Sequence, residues 1–237
     1  MRMYVLFVAV AGSLALAASV MDLSRQPLNW TKIVALAALS GWATVPLYRV
    51  NGRVSPIAET FIMAATLMFG ASVGAMAAFV VAGAMFLKIT YLGARPRLIP
   101  LVFSLTSPPL IVWMAAYATG RGTPLIYSGT VDAAFVLNIA AFSACYFLLT
   151  TWSLALVVGL QTAVSPTRLW YGLKDLAIAY AAGAIVAAML CIFGLTLWVL
   201  GFILPLLCVI HIACSWQSHG KEILALQAQR NTALRQE

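Results

Sequence analysis

Residues 195–214 read LTLWVLGFILPLLCVIHIAC, and Ile33–Leu47 reads IVALAALSGWATVPL. A backbone facing lipid must satisfy its own N–H and C=O groups, so a spanning segment is either a helix or part of a closed barrel. Barrel strands alternate apolar and polar residues, whereas these two stretches run almost continuously apolar, which selects helices. The rest of the chain agrees. It is 63% hydrophobic and 8% charged, against roughly a quarter charged in a globular domain, and its mean hydropathy is +0.99. These values exclude a water-soluble domain of 237 residues. Working outward, spans fall at about 3–20, 32–48, 57–69, 71–88, 98–118, 132–160, 175–193 and 195–216. The third is short for a hydrocarbon core of roughly 30 Å, so 57–88 also reads as one span plus a half-helix. The sequence predicts an all-α, polytopic transmembrane helical bundle of about eight spans over 1–216. A cytoplasmic helical tail over 217–237 completes it.

Orientation follows from the Lys/Arg bias. With the N-terminus inside, the inner set is Arg2, Arg49, Arg53, Lys88, Arg95, Arg97, Arg168, Lys174, Lys221, Arg230 and Arg235; Arg25, Lys32 and Arg121 lie outside. Removing one span would move the later clusters to the wrong side. The expected location is therefore a bacterial inner membrane, multi-pass, with both termini cytoplasmic. A basic rim facing anionic lipid accounts for the net charge of +8 without nucleic-acid binding. Residues 3–20 read as a retained span rather than a cleaved signal, because the topology needs them.

Small residues mark the packing. Gly70, Gly74, Ala78 and Ala82 recur every four positions, as do Ala11, Ala15 and Ser19; such stripes let helices approach closely in lipid, within a bundle or between subunits. Phe69-Gly70 and Phe193-Gly194 read as two tight outward hairpins with glycine where a helix must stop, which is consistent with two parallel four-helix halves. Pro108-Pro109 interrupts the fifth span beside Ser104, Thr106 and Ser107. Two lost donors predict a broken backbone there, and a broken span near the midplane is a place for a polar ligand. Ser107, Pro108, Asn138 and Thr150 are accordingly the candidate ligand-binding residues, with a structural kink and interhelical bonding as the plainer alternatives.

Catalysis has little to work with. Asp22 and Asp132 read as outer-edge residues, and Glu59 and Asp175 as inner-edge residues, leaving no acid inside a span for a pump or intramembrane enzyme. Gly70-Ala71-Ser72-Val73-Gly74 matches the G-x-S-x-G elbow. However, His211 would sit roughly 22 Å deep at 1.5 Å per residue, out of reach of a surface serine. Cys208, His211 and Cys214 spread over about 120° of one helix, which is poor geometry for a single metal ion. All four cysteines, Cys145, Cys191, Cys208 and Cys214, fall inside expected spans and read as free packing residues. No catalytic residue, metal or cofactor is expected, and the chain does not read as an enzyme.

Four stretches carry a likeness: Phe61–Gly74 (FIMAATLMFGASVG), Tyr146–Leu160 (YFLLTTWSLALVVGL), Ser165–Asp175 (SPTRLWYGLKD), and the last span with Pro205 running into the polar helix at Ser215–Ile223. In this order they resemble the multi-pass, MASE-like N-terminal membrane regions of bacterial HD-GYP and GGDEF cyclic-dinucleotide signalling proteins. Two departures stand out. Such regions often carry Asn four residues after the Tyr, where this chain has Thr150, and no HD, GYP or GGDEF sequence lies within these residues. The resemblance implies sensing or signal transmission without catalysis. The polar tail, with Ile223, Leu226 and Leu234 interspersed, suits a weak coiled-coil seam, hence a homodimer or a partner membrane subunit in the lipid bilayer. A small-solute-binding transporter subunit and a non-catalytic accessory subunit are the alternatives.

The charge split predicts that reporter fusions after Gly52, Arg97, Thr167 and Glu237 read cytoplasmic and fusions within 121–130 read external. A cytoplasmic reading at 121–130 would overturn the orientation.

Overall fold

The computed structural model describes residues 2–25, 33–34, 38, 40, 56–91, 98–125, 131–162, 164–174 and 176–194. These form seven helices: α1 (Arg2–Arg25), α2 (Pro56–Phe69), α3 (Ala71–Tyr91), α4 (Leu98–Ala118), α5 (Ala133–Thr162), α6 (Pro166–Leu173) and α7 (Leu176–Phe193). Among the described residues there is no strand. They belong to the compact unit Met1–Thr196; a second unit, Leu197–Glu237, lies outside them.

The all-helical, membrane-embedded reading holds, but eight spans are not supported. Among the described residues, four helices are long and apolar enough to cross a membrane: Met3–Arg25, Leu101–Ala118, Ala133–Thr162 and Leu176–Phe193. Ala58–Phe69 and Ala71–Leu87 are shorter apolar helices. At 14 residues, α2 rises only about 21 Å, which is less than the hydrocarbon thickness. The expected spans 195–216 and nearly all of 32–48, and the tail 217–237, lie outside the described residues.

Helix α2 is the centre of the bundle. Ala58 and Thr60 to Leu67 are all buried, so it is covered on every face, as a helix apolar all round must be. It packs on α3 and α7, while α1 and α4 pack on α3 and on each other. Helix α5 joins the two sides, touching α4, α6 and α7. Where helices cross, glycine meets threonine. A Cβ on Gly12 of α1 would clash with the carbonyl oxygen of Thr106 on α4. A Cβ on Gly74 would clash with Thr66 Oγ1, and one on Gly183 with Thr60 Oγ1 and the Met63 methyl.

The α2–α3 turn forms as the sequence predicts: Gly70 has φ +90° and its N–H donates to Thr66 O at 2.8 Å. Gly194 ends α7 in the same way, with φ +72° and a 2.9 Å bond to Leu190 O. The α2–α3 tip is buried, however, because the loop after α4 lies over it. Ala71 N donates to Gly122 O at 3.3 Å, Leu125 N donates to Leu67 O at 2.7 Å, and Ser72 Oγ donates to Asp22 Oδ2 at 2.5 Å.

The expected break at Pro108-Pro109 does not occur. Helix α4 continues through both prolines. It is held by α1, α3 and α5, and a bundle tolerates an interior proline where neighbours and hydroxyls re-satisfy the backbone. Hydroxyls in this fold mostly bond their own helix four residues back. Ser19 donates to Ala15 O at 2.8 Å, Thr66 to Ile62 O at 2.8 Å, Thr106 to Val102 O at 2.8 Å and Thr151 to Phe147 O at 2.7 Å.

Asp132 caps α5 by accepting from Phe135 N at 2.7 Å. Helix α6, between the expected spans 132–160 and 175–193, starts at Pro166 and lies against α5. Trp170 Nε1 donates to Thr151 Oγ1 at 3.0 Å, and its ring stacks on Trp152 at 5.6 Å. Its other residues are half-buried or exposed, as in an amphipathic helix at a membrane interface.

Gly12→Ala and Gly83→Ala should therefore differ in sign. Gly83 has no atom within 4 Å of an added Cβ, so alanine there gains roughly 0.5–1 kcal/mol of helix stability. At Gly12 the overpacking costs about 1–3 kcal/mol. Thermal unfolding in detergent measures both, and equal shifts would contradict the α1–α4 crossing.

Candidate functional site

The polar centre of the bundle lies where α2, α5 and α7 meet. Glu59, in the first turn of α2, accepts a hydrogen bond from Tyr146 Oη on α5. Tyr146 is 1% exposed and Tyr180, on α7, 6%; Tyr180 is close enough to Glu59 to feel its charge. The Tyr146 and Tyr180 rings lie 5.8 Å apart at 51°. Phe142 stacks on Tyr146 at 6.0 Å, and Phe147 meets Tyr180 edge-on at 5.3 Å. Thr150 Oγ1 is enclosed close to both phenols, yet no contact there meets hydrogen-bond geometry.

Helical spacing accounts for the cluster. Phe142, Tyr146 and Thr150 recur every four residues and so lie along one face of α5. Gly183, one turn beyond Tyr180 on α7, allows α7 to approach Thr60, the residue next to Glu59. Small residues thus bring the phenols and the carboxyl within reach. Among the described residues no Lys, Arg or His pairs with Glu59; its one specific partner is the Tyr146 hydroxyl.

A cavity of about 640 Å³ opens beside this cluster, between the first half of α5 and α7. Phe135, Ile139, Phe147 and Ala184 form apolar walls, and Ser143 and Tyr180 supply its polar atoms. Ser143 Oγ donates to Tyr180 O across the two helices in a long bond of 3.5 Å.

Of the residues selected from sequence, Asn138 stands apart from Ser107 and Pro108. Ser107 Oγ bonds Ser153 Oγ at 3.3 Å, and Tyr4 Oη lies 3.4 Å from the same Ser153 oxygen, forming a small junction of α1, α4 and α5. Pro108 is half-buried in the uninterrupted α4. Thr150 faces the Tyr146–Tyr180 pair instead. Asn138 is half-buried and lies fifteen residues before Ser153 on α5, about 22 Å along the axis from the point where Ser107 touches that helix. It does not line the cavity. Sequence reasoning missed Glu59, which it placed at the inner edge. The available signal was its place one residue before FIMAATLMF, a run too apolar to begin outside the bundle.

Other chemistry finds no support in the geometry. Ser72 is bound to Asp22, and among the described residues no group of three His, Cys, Asp or Glu could hold a metal ion. Cys145 and Cys191 are free, whereas Cys208, His211 and Cys214 lie outside the described residues. No family model, curated protein or solved structure matches the chain.

The Tyr146–Glu59 bond predicts an ordered series of stabilities. Tyr146→Phe removes the donor from a half-buried acceptor and should cost roughly 0.5–1.5 kcal/mol, whereas Glu59→Gln keeps an acceptor and should cost less. Tyr146→Phe with Glu59→Leu should be less than additive, since the two residues share one interaction. Unfolding in mixed micelles measures the cycle, and strict additivity would remove the pairing.

Proposed function

We propose that this chain is the membrane-embedded sensory and signal-transmitting region of a bacterial cyclic-dinucleotide signalling protein, set in the inner membrane with both ends cytoplasmic. The observation that carries the reading is the Glu59–Tyr146–Tyr180 junction. A part-buried hydrogen bond ties the central helix α2 to α5, and the second phenol stands on α7, the helix whose chain leads on to residues 195–237. A ligand that binds this junction better in one arrangement of α5 and α7 shifts the population toward it, and by no more than its differential affinity. Helix displacements of about 1–2 Å are a common output of such sites. The resemblance of FIMAATLMFGASVG and SPTRLWYGLKD to MASE-like regions supports the same reading, as does the polar tail after Trp216.

The cavity between α5 and α7 favours one second reading, a small-solute-binding subunit of a transporter. It lies within the range of about 300–1,000 Å³ typical of small-molecule sites.

The tail separates the two. Single cysteines at Ile223, Leu226 or Leu234 should crosslink between chains in native membranes, and Glu59→Leu should change the yield. If no position gives a dimer, the transmitter reading falls and a solute-binding or accessory subunit takes its place.

A further inference from the structure

The geometry points to helix α6 as a docking surface for an anionic phospholipid, whose phosphate is held against the row Arg168, Tyr171 and Lys174. This surface is independent of the signalling reading.

The sequence divides the helix into two faces. Pro166, Leu169, Trp170 and Leu173 follow the spacing i, i+3, i+4, i+7, which places them on one side. These four are half-buried, whereas Thr167, Arg168, Tyr171, Gly172 and Lys174 are exposed. The inner side is fastened to α5, where Trp170 Nε1 donates to Thr151 Oγ1 at 3.0 Å and its ring stacks on Trp152. At the other end of α6, a Cβ on Gly159 would lie 3.0 Å from Pro166 Cγ. Residue 166 thus meets 159 while residue 170 meets 151 and 152, so α6 runs back along the last part of α5. It delivers the chain to the start of α7 at Leu176. Helices α5 and α7 are both long and apolar enough to cross a membrane. Their connection therefore lies at a membrane boundary, the level at which Trp and Tyr settle.

The outer side carries the chemistry. Arg168, Tyr171 and Lys174 recur every three residues, and Lys174 keeps helical geometry at φ −57° and ψ −32°. They form one row about 9 Å long. Each offers N–H or O–H donors to a phosphate oxygen, and the two cations add the opposite charge. Tyr171 is 65% exposed, so packing within the chain does not occupy its ring. No acid lies within 164–174; Asp175, next in sequence, lies outside the described residues. The acids described elsewhere are committed: Asp22 to Ser72, Glu59 to Tyr146 and Asp132 to the Phe135 N–H.

A zwitterionic head brings its own cation toward Arg168 along with its phosphate, and gains little from the row. A free phosphate ion has no acyl chain to hold it beside a helix fastened to a spanning segment. A lipid with a net negative head satisfies both the charge and the position, as amphipathic helices with basic polar faces do at anionic membranes.

The test uses the full chain in phosphatidylcholine nanodiscs containing a photoreactive phosphatidylglycerol, its diazirine near the glycerol backbone, followed by peptide mapping. Saturable labelling of residues 164–174 is expected, displaced by unlabelled phosphatidylglycerol but not by inorganic phosphate or a soluble acidic peptide. Arg168→Gln and Lys174→Gln should each lower this labelling about fivefold, the usual contribution of one cation near an anionic surface. Arg168→Lys should keep most of it. Arg97→Gln, which neutralises a cation outside this stretch, should leave it unchanged. Labelling that does not saturate, no loss in the two α6 variants, or an equal loss in Arg97→Gln would each overturn the proposal. Displacement by inorganic phosphate would replace it with a free-anion site, and displacement by the peptide with a protein surface.

Discussion

At three helix crossings in this bundle a glycine on one helix faces a threonine on its neighbour: Gly12 against Thr106, Gly74 against Thr66, Gly183 against Thr60. The lipid tails around such a protein are as apolar as its own side chains, so no hydrophobic gain drives helices together, and close van der Waals contact must do so instead. Each glycine removes the one atom that would hold the backbones apart. The first contact seats α1 on α4, the second folds α3 back along α2, and the third brings α7 against α2. The burial of α2, the reach of Tyr180 toward Glu59 and the cavity beside it all depend on the third contact.

The polar groups follow a complementary rule. Most hydroxyls turn back onto their own helix, leaving few bonds between helices. Among the described residues, those that do cross include Tyr146 to Glu59, Ser72 to Asp22, Ser107 and Tyr4 to Ser153, Trp170 to Thr151, and Ser143 to the Tyr180 carbonyl. They sit at different points of the bundle, and only the Glu59 bond joins a fully enclosed phenol to a carboxyl. A change at that point alters the contact between α2 and α5 while the glycine crossings keep their packing.

The sequence disclosed these features unevenly. Helices and a membrane follow from continuous apolar runs, and the turn at Gly70 from glycine after the last periodic residue. The stripe Gly70, Gly74, Ala78 and Ala82 is buried as its spacing implies. In α1 the stripe is carried by Ala15 and Ser19, with Gly12 rather than Ala11 making the close contact. Periodicity identifies the face but not the residue at the crossing point. Pro108-Pro109 misled because local propensity breaks a helix that its three neighbours hold together. Helix α6 is eight residues long, too short for a periodic signal. Glu59 was visible as a charge, but its hydrogen-bond partner is Tyr146, 87 residues away, and no local pattern records that partner.

Self-bonded hydroxyls also bear on how the chain is assembled. A segment whose serines and threonines already bond its own carbonyls can leave the translocon and wait in lipid alone, with nothing exposed for quality-control proteases to recognise. Helix α2 is different, because its carboxyl cannot be quenched from within its own turn. Its final seat is therefore postponed until α5 and α7 have been synthesised. In the interval the nascent chain carries an unfinished centre, which makes the order of synthesis part of the folding route of this protein.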